Sequence, residues 1–228
     1  MRHIYIDIET LPCADPARVP APRAPANYKD PDKIAAYIEE ARAGAWRETS
    51  LDPLLGRVFC IGVAVDTEPV EVLYDQEADA ERELIGQLAA VVAKAHEAGR
   101  HPLWWVGHNI SGFDLRWLWF RAVKYGFSDL AQLLPYQRWQ RPMVQDTLQI
   151  AQGADWSGKG LGLGRLAEYF ELGGKGEGLN GSKVYDAWVA GEHDRIRAYC
   201  AADVELSRKL HNLFVNNQGG SKSWYLPT

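Results

Sequence analysis

Residues 3–9 read HIYIDIE, an apolar and β-branched run that predicts a buried strand. Successive side chains of a strand point to opposite faces, so Asp7 and Glu9 would stand side by side on one face. Carboxylates are rare in the middle of such a strand unless something compensates their charge. The stretch therefore predicts the first strand of a sheet and an acidic site on that strand.

Two further acidic patterns lie far along the chain. Residues 109–114 read NISGFD and follow an apolar run, so we expect Asp114 at a junction between a strand and a helix. Residues 199–203 read YCAAD within a segment whose apolar periodicity predicts a helix. Tyr199 and Asp203 are four residues apart and would share one face of that helix. The three patterns supply four carboxylates and one phenol.

Clustered carboxylates of this kind repel one another in a site of low dielectric constant unless cations neutralise them. Hard oxygen ligands suit Mg²⁺ or Mn²⁺ better than zinc. Two such ions, about 3.5–4 Å apart, stabilise the attacking and leaving oxygens of a phosphoryl displacement. The Tyr199 phenol could then orient the attacking water. Taken together, the three patterns predict a two-metal phosphodiester hydrolase.

At these residues the chain resembles the DEDD superfamily of 3′–5′ exonucleases, which have a ribonuclease-H-like fold. Ala198 stands where the histidine variant would carry its histidine, so Tyr199 is typical of the tyrosine subgroup. The patterns Asp-Ile-Glu-Thr and Asn-x-x-x-Phe-Asp are especially similar to the proofreading domain of family-B DNA polymerases. The chain is also similar to stand-alone bacterial and phage relatives of that domain. The resemblance is weakest over residues 13–50.

The resemblance implies a role for each of these residues. Asp7, Glu9 and Asp203 would hold one Mg²⁺ or Mn²⁺, and Asp7 would bridge to a second ion near Asp114. Tyr199 would position the water or hydroxide that attacks the terminal phosphodiester. The activity implied is removal of nucleotides from the 3′ end of a nucleic acid, with single-stranded DNA the favoured substrate.

The resemblance also implies which residues bind the 3′-terminal nucleotide: Thr10, Leu11, Asn109 and Phe113. For Leu11 and Phe113 the alternative is packing in the core. Two alternatives concern function. One is a 3′–5′ exoribonuclease similar to ribonuclease D, because the choice between DNA and RNA depends on how the pocket treats the 2′-hydroxyl group. The other is a non-catalytic nucleic-acid-binding module with the same fold.

The composition agrees with a single exonuclease domain over residues 1–228. A chain of 228 residues with 46% hydrophobic content can bury one good core. No stretch approaches the roughly 20 apolar residues of a membrane span, and no signal region begins the chain. Cys13, Cys60 and Cys200 have no Cys-x-x-Cys spacing, which disfavours a disulfide framework and a zinc site. We therefore expect a cytoplasmic enzyme that does not associate with membranes, and protein partners are not predicted.

The net charge of −5 is distributed unevenly. Acidic residues outnumber basic ones between 58 and 100, whereas basic residues outnumber acidic ones between 101 and 185. This distribution fits contact with a few terminal nucleotides rather than with a long stretch of duplex. Residues 136–141, which read YQRWQR, could stack on bases while holding phosphates, and Lys175 in a glycine-rich loop could reach a phosphate. Solvated loops are the alternative for both.

The order of predicted elements indicates an α/β fold with a mixed central sheet flanked by helices. Strands are predicted at 3–9, 58–66, 70–74, 103–107 and near 143–145, and helices at about 77–98, 114–126, 161–170 and 193–216. Residues 13–57 form an insertion after the first strand, with a helix at 33–46. This insertion would lie beside the cleft as a lid, or pack on the edge of the sheet as an ornament. Residues 216–228 are predicted as a mobile tail.

Overall fold

Five strands form one mixed sheet in the computed structural model, which describes residues 2–99, 102–136, 143–153, 159–174 and 178–217. Their order across the sheet is β3-β2-β1-β4-β5. The bounds are β1 Arg2–Leu11, β2 Arg57–Val65, β3 Glu71–Tyr74, β4 Leu103–Gly107 and β5 Val144–Asp146. Strand β2 is antiparallel to β1 and β3, whereas β4 is parallel to β1 and β5. The predicted α/β fold with a mixed sheet is confirmed.

The described part of the chain also contains eight α-helices. They are α1 Pro31–Glu48, α2 Glu81–Gly99, α3 Asp114–Tyr125, α4 Ser128–Leu133, α5 Thr147–Gln152, α6 Leu163–Tyr169, α7 Val184–Val189 and α8 His193–Asn217. Three of them, α4, α5 and α7, were not predicted, because six residues are too few for helical periodicity to show. Among the described helices, none combines the length and the apolarity needed to cross a bilayer.

The sheet lies between two helical layers, and β1 contributes to both interfaces. Ile4, Ile6 and Ile8 pack on the side of α2 and α3, in the largest cluster of buried apolar residues. Tyr5 and Leu11 pack on the other side, where α7 and α8 cover the sheet. This alternation follows from the two-residue period of a strand. Because β1 is the central strand, its side chains are buried from both sides.

Helix α2 begins four residues later than the sequence predicts. The Asp75 carboxylate accepts the backbone N–H groups of Ala78 and Ala80, at 3.0 and 2.7 Å. Ala78 has a φ of 54°, in the left-handed region, which a helix does not permit. These side-chain contacts therefore hold residues 75–80 in a turn, and the helix starts only at Glu81.

The insertion after β1 contains α1. Asp30 is the N-cap of this helix, and none of the helix residues is buried. Its C-terminal end contacts the rest of the protein. The Trp46 indole donates a hydrogen bond to the carbonyl of Cys13 at 2.9 Å, and Arg47 pairs with Asp186 on α7 at 2.7 Å. The insertion is therefore attached beside α7, and its action as a lid remains a prediction.

The predicted mobile tail begins inside a helix, because α8 continues to Asn217. Interior apolar residues of α8 pack on the sheet and on α6, and the helix ends one residue after its predicted end at about 216. The rest of the predicted tail, residues 218–228, lies outside the described residues.

Candidate active site

Strand β1 and helix α8 bring the first and third acidic patterns together. The carboxylate oxygens of Asp7 and Glu9 and the sulfur of Cys200 all lie within 4.8 Å of one another. Tyr199, on the same helix as Cys200, forms a side-chain hydrogen bond with Asp203. Glu9, Tyr199 and Asp203 are buried, whereas Asp7 is half-buried. The site therefore concentrates negative charge at the interface between the sheet and α8.

The second pattern contacts β1 at the residue between the two carboxylates of the first pattern. Asp114 is the first residue of α3, and its Oδ1 accepts the backbone N–H of Ile8 at 2.9 Å. Since Ile8 lies between Asp7 and Glu9, this bond fixes Asp114 to the acidic part of the strand. Burial raises the pKa of Asp114 to about 7, and the carboxylates of Asp146 and Asp203 add to this shift. The carboxylate is therefore costly to ionise without a compensating cation.

The Tyr199 phenol is held in its protonated form. Burial is the largest cause that raises its pKa well above the usual range, followed by the negative charges of Asp203 and Glu9. A phenol with so high a pKa can donate a hydrogen bond or orient a water molecule at neutral pH. It cannot serve as a general base there, because it carries no negative charge.

The Cys200 thiol also remains protonated. A hydrogen bond with Cys60, burial and the nearby carboxylates of Asp7 and Glu9 raise the pKa of this thiol well above its usual range. Apart from this sulfur, the donors at the site are carboxylate oxygens, which suit hard divalent cations. The donor chemistry of the site thus fits Mg²⁺ or Mn²⁺.

The four predicted substrate-binding residues differ in their exposure. Asn109 is exposed, and Phe113 is half-buried, with its ring 5.7 Å from that of Trp117. The Thr10 hydroxyl donates to the carbonyl of Ser50 at 2.6 Å, so it is engaged with the insertion. Leu11 is completely buried, and its side chain packs in the core. A contact between Leu11 and a nucleotide would have to be made by its backbone.

Asp146 is a buried acidic residue beside the site that the sequence patterns did not indicate. It ends β5, and its carboxylate accepts backbone N–H groups of Asn109, Ser111 and Leu148. The available signal was an N-cap pattern, an Asp directly before the Thr147 that opens α5. Sequence alone predicted only a short strand near 143–145 and did not connect Asp146 to the second pattern.

Two other predicted nucleic-acid contacts fall largely outside the described residues. Of residues 136–141, the structure describes Tyr136, whose ring stacks on Trp119 with centroids 4.2 Å apart and planes 11° apart. Residues 137–141 and Lys175 lie outside the described ranges. Tyr136 is therefore occupied by Trp119 on one ring face, and the remaining contacts stay predictions.

Comparison with known protein families assigns the chain to a family. A family described as "Predicted 3'-5' exonuclease related to the exonuclease domain of PolB" matches residues 52–207. The chain belongs to this family. The matched segment includes Asp114, Tyr199 and Asp203, and it begins after Asp7 and Glu9. Membership makes the protein a 3′–5′ exonuclease and implies a nucleic-acid substrate and a general dependence on metal.

The fold of this exonuclease is similar to that of a solved polymerase. The match is to the family B DNA polymerase from the hyperthermophilic archaeon Pyrobaculum calidifontis, with a TM-score of 0.58 and 20% sequence identity. It covers 94% of this chain and 24% of the polymerase, so the exonuclease spans about a quarter of that protein's length. No curated protein matches the chain. The likeness extends to the fold, a five-stranded mixed sheet flanked by helices.

Proposed function

We propose that this exonuclease removes nucleotides from the 3′ end of single-stranded DNA by a two-metal-ion mechanism of the tyrosine subgroup. The observation that carries the proposal is the convergence of Asp7 and Glu9, whose oxygens lie within 4.8 Å of each other, on the face of β1 that meets α8. Asp203 and Tyr199 lie on that helix, and Asp114 accepts a hydrogen bond from the backbone N–H of Ile8, between Asp7 and Glu9.

The ion ligands in this proposal are Asp7, Glu9, Asp114 and Asp203. Three of these carboxylates are buried and that of Asp7 is half-buried, so their charged forms are unfavourable together, and bound divalent cations would neutralise them. Mg²⁺ or Mn²⁺ would supply charge stabilisation for the attacking and leaving oxygens of the phosphodiester. The high pKa of Asp114 supports this assignment, because an acid that is costly to ionise alone gains most from a neighbouring cation.

Tyr199 orients the attacking water in the proposed reaction. Its phenol remains protonated, and its hydrogen bond with Asp203 fixes the direction of the hydroxyl group. A water molecule beside that hydroxyl would be held by one hydrogen bond and would lose its proton to another acceptor or to solvent. Tyr199 thus contributes orientation and no charge.

The 3′-terminal nucleotide would be bound next to these carboxylates. Asn109 offers an exposed amide, and Phe113 offers a half-buried ring one residue before Asp114. Thr10 and Leu11 would contribute through the backbone at the end of β1, since their side chains are engaged or buried. DNA is favoured as the substrate because the family is related to the exonuclease domain of PolB and the similar solved structure is a DNA polymerase.

The test is digestion of matched DNA and RNA oligonucleotides, each with a free or a blocked 3′ end, in Mg²⁺, Mn²⁺ or EDTA. We expect stepwise shortening of unblocked DNA from the 3′ end, dependent on either cation and abolished by EDTA. Faster digestion of RNA would select an exoribonuclease. Tight binding of 3′ ends without turnover would indicate a non-catalytic module, and equal digestion of blocked ends would contradict the polarity.

A further inference from the structure

Asp146 makes three backbone contacts at the edge of the active site. It pairs with Gly107 at the end of two parallel strands and is 3% exposed. Its Oδ1 accepts N–H groups of Asn109 at 2.8 Å and Leu148 at 3.0 Å, and its Oδ2 accepts that of Ser111 at 2.9 Å. Both oxygens are thus engaged with backbone donors, and the charge of the buried carboxylate is compensated without a metal.

The loop that Asp146 holds is tight. A Cβ atom on Gly107 would lie 2.2 Å from the Cγ2 of Ile110 and 2.6 Å from the carbonyl oxygen of Ile6. Two residues later, Asn109 has a φ of 63°, in the left-handed region, which asparagine adopts more readily than most residues other than glycine. Surrounding contacts select this conformation from the others that are open to asparagine. The two bonds from Asp146 to Asn109 and Ser111 are contacts of that kind.

Backbone hydrogen bonds connect the loop directly to helix α3, which begins at Asp114. The N–H of Phe113 donates to the carbonyl of Asn109 at 3.1 Å, and that of Leu115 donates to the carbonyl of Ile110 at 3.0 Å. A displacement of Asn109 is therefore transmitted to the first turn of α3. Asp114 is the first residue of that turn.

We propose that Asp146 is a positioning residue of this exonuclease, which clamps residues 109–111 and thereby fixes Asp114 against the backbone of Ile8 on β1. The inference rests on the proposed role of Asp114 as a metal ligand. Asp146 itself touches neither metal nor substrate in this role. It acts through residues 109–111, one step beyond the groups that hydrogen-bond a metal ligand directly, whose replacement typically changes metal affinity or activity by about 10- to 100-fold.

The variant Asp146→Asn tests the clamp with little change in volume. An amide has one acceptor oxygen and one NH₂ group, so it must turn a donor toward the N–H of either Asn109 or Ser111. At least one of the two contacts is then replaced by a repulsion between donors. The variant therefore loosens the loop without opening a cavity.

The chain contains a matched control at Asp75. Its two oxygens accept the N–H groups of Ala78 at 3.0 Å and Ala80 at 2.7 Å, and Ala78 has a φ of 54°. Asp75→Asn thus breaks the same kind of clamp around the same kind of left-handed residue. The element that follows is α2, whose first residue Glu81 has no part in the proposed chemistry.

Three quantities are measured for the wild type and both variants. The kcat on a 3′-unblocked DNA oligonucleotide and the half-saturating Mn²⁺ concentration are measured at a temperature well below unfolding. The unfolding midpoint is measured separately by thermal unfolding. We expect both variants to lose stability. Only Asp146→Asn should lower kcat and raise the half-saturating Mn²⁺ concentration, each by about 10- to 100-fold. Unchanged kcat and Mn²⁺ requirement in Asp146→Asn, or an equal loss in Asp75→Asn, would overturn the inference.

Amide hydrogen exchange on the wild type provides a test that needs no variant to fold. The N–H groups of Asn109 and Ser111 should exchange slowly, and Mn²⁺ should slow them further because the ion binds Asp114 at the end of the same loop. Fast exchange of both amides with Mn²⁺ bound would overturn the clamp. Failure of the proposed function gives a different result, since the wild type would then show no Mn²⁺-dependent turnover at all.

Discussion

The two faces of β1 differ in chemistry, although they belong to the same ten residues. On one face Ile4 and Ile6 are completely buried on the side of α2 and α3. On the other face Tyr5 is buried, and Asp7 and Glu9 meet the helix that carries the third acidic pattern. The comparison teaches that one strand can separate stability from catalysis, because its alternating side chains enter different environments.

The two faces also contribute to the free energy of folding with opposite signs. Each fully buried aliphatic side chain on the α2 side stabilises the fold by about 1.5–3 kcal/mol. The carboxylates on the α8 side oppose folding in the absence of cations, because burial and mutual repulsion disfavour their charged forms. Substitutions on the two faces should therefore have separable effects, and five predictions test this separation.

The largest expected effect is on activity, in Asp7→Asn and Asp203→Asn. Each change removes one negative ligand while it keeps the shape of the side chain. We expect kcat to fall by at least about 10³-fold, the upper range for loss of one charge-stabilising group. Stability without metal should be equal or higher, because repulsion between carboxylates is relieved. Calorimetry with Mn²⁺ and thermal unfolding in EDTA test both expectations, and unchanged metal affinity in both variants would contradict the ligand assignment.

On the opposite face, Ile6→Ala should reduce the free energy of unfolding by about 2–5 kcal/mol, because it leaves a cavity in the core. Urea unfolding followed by fluorescence measures this loss. At temperatures where the variant remains folded, its kcat should equal that of the wild type, in contrast to Asp7→Asn. A large fall in kcat of folded Ile6→Ala would show that the two faces of β1 are not separable.

Tyr199→Phe should lower kcat by about 10²–10³-fold, the usual result of losing one positioning hydrogen bond in a catalytic site. Metal affinity should stay nearly intact, because the phenol carries no charge. The ring is retained, so packing on α8 is preserved. Single-turnover rates and Mn²⁺ calorimetry distinguish this variant from Asp203→Asn. Full wild-type turnover at saturating substrate would exclude the proposed role of the tyrosine.

The sequence predicted those parts of the fold and site that depend on short-range patterns. The two-residue spacing of Asp7 and Glu9 on a strand and the four-residue spacing of Tyr199 and Asp203 on a helix determine which side chains share a face. The succession of strands and helices along the chain indicated a mixed sheet, which the structure and the fold comparison confirm, and the family match supports the exonuclease assignment.

Features that depend on contacts between distant segments were missed. Asp146 is 37 residues from Asn109 along the chain, and no local pattern links the two. The later start of α2 was also missed, although it is local, because the Asp75 carboxylate binds backbone N–H groups only three and five residues further along the chain. For Leu11 the sequence left nucleotide binding and core packing open, and its complete burial in a cluster with Phe59 and Tyr199 shows that the side chain packs in the core.

The pH dependence of stability should reveal how much the ionisation of the buried Asp114 carboxylate lowers the free energy of unfolding. Its pKa rises from 3.8 to about 7 on folding, chiefly through burial, so between these values the folded protein retains a proton that the unfolded chain has lost. In EDTA the free energy of unfolding should therefore fall as pH rises from about 4 to 7, by up to roughly 1.4 kcal/mol per pH unit. Urea unfolding at several pH values measures this slope. Asp114→Asn should flatten it, and an unchanged slope would assign the titration to another group.

The smallest expected effect is the loss of stability in Tyr5→Phe. Tyr5 lies on the same face of β1 as Asp7 but has no part in the proposed chemistry. The Tyr5 hydroxyl lies 3.0 Å from Nδ1 of His211, and burial lowers the pKa of that histidine to about 4. The imidazole is therefore neutral at pH 7. Its Nε2 contacts the amide oxygen of Gln145, so Nε2 carries the proton and Nδ1 accepts from Tyr5.

Removing that hydroxyl should cost about 1 kcal/mol of stability and leave kcat unchanged, because only one buried hydrogen bond is lost. Tyr74→Phe is the matched control, since Tyr74 contacts Nδ1 of His193 at 2.8 Å in a less buried position. It should cost less than Tyr5→Phe, because water can reach the histidine that is left. Thermal unfolding and kcat of both variants test the comparison. A fall in kcat in Tyr5→Phe alone would mean that the catalytic region of β1 extends beyond its carboxylates.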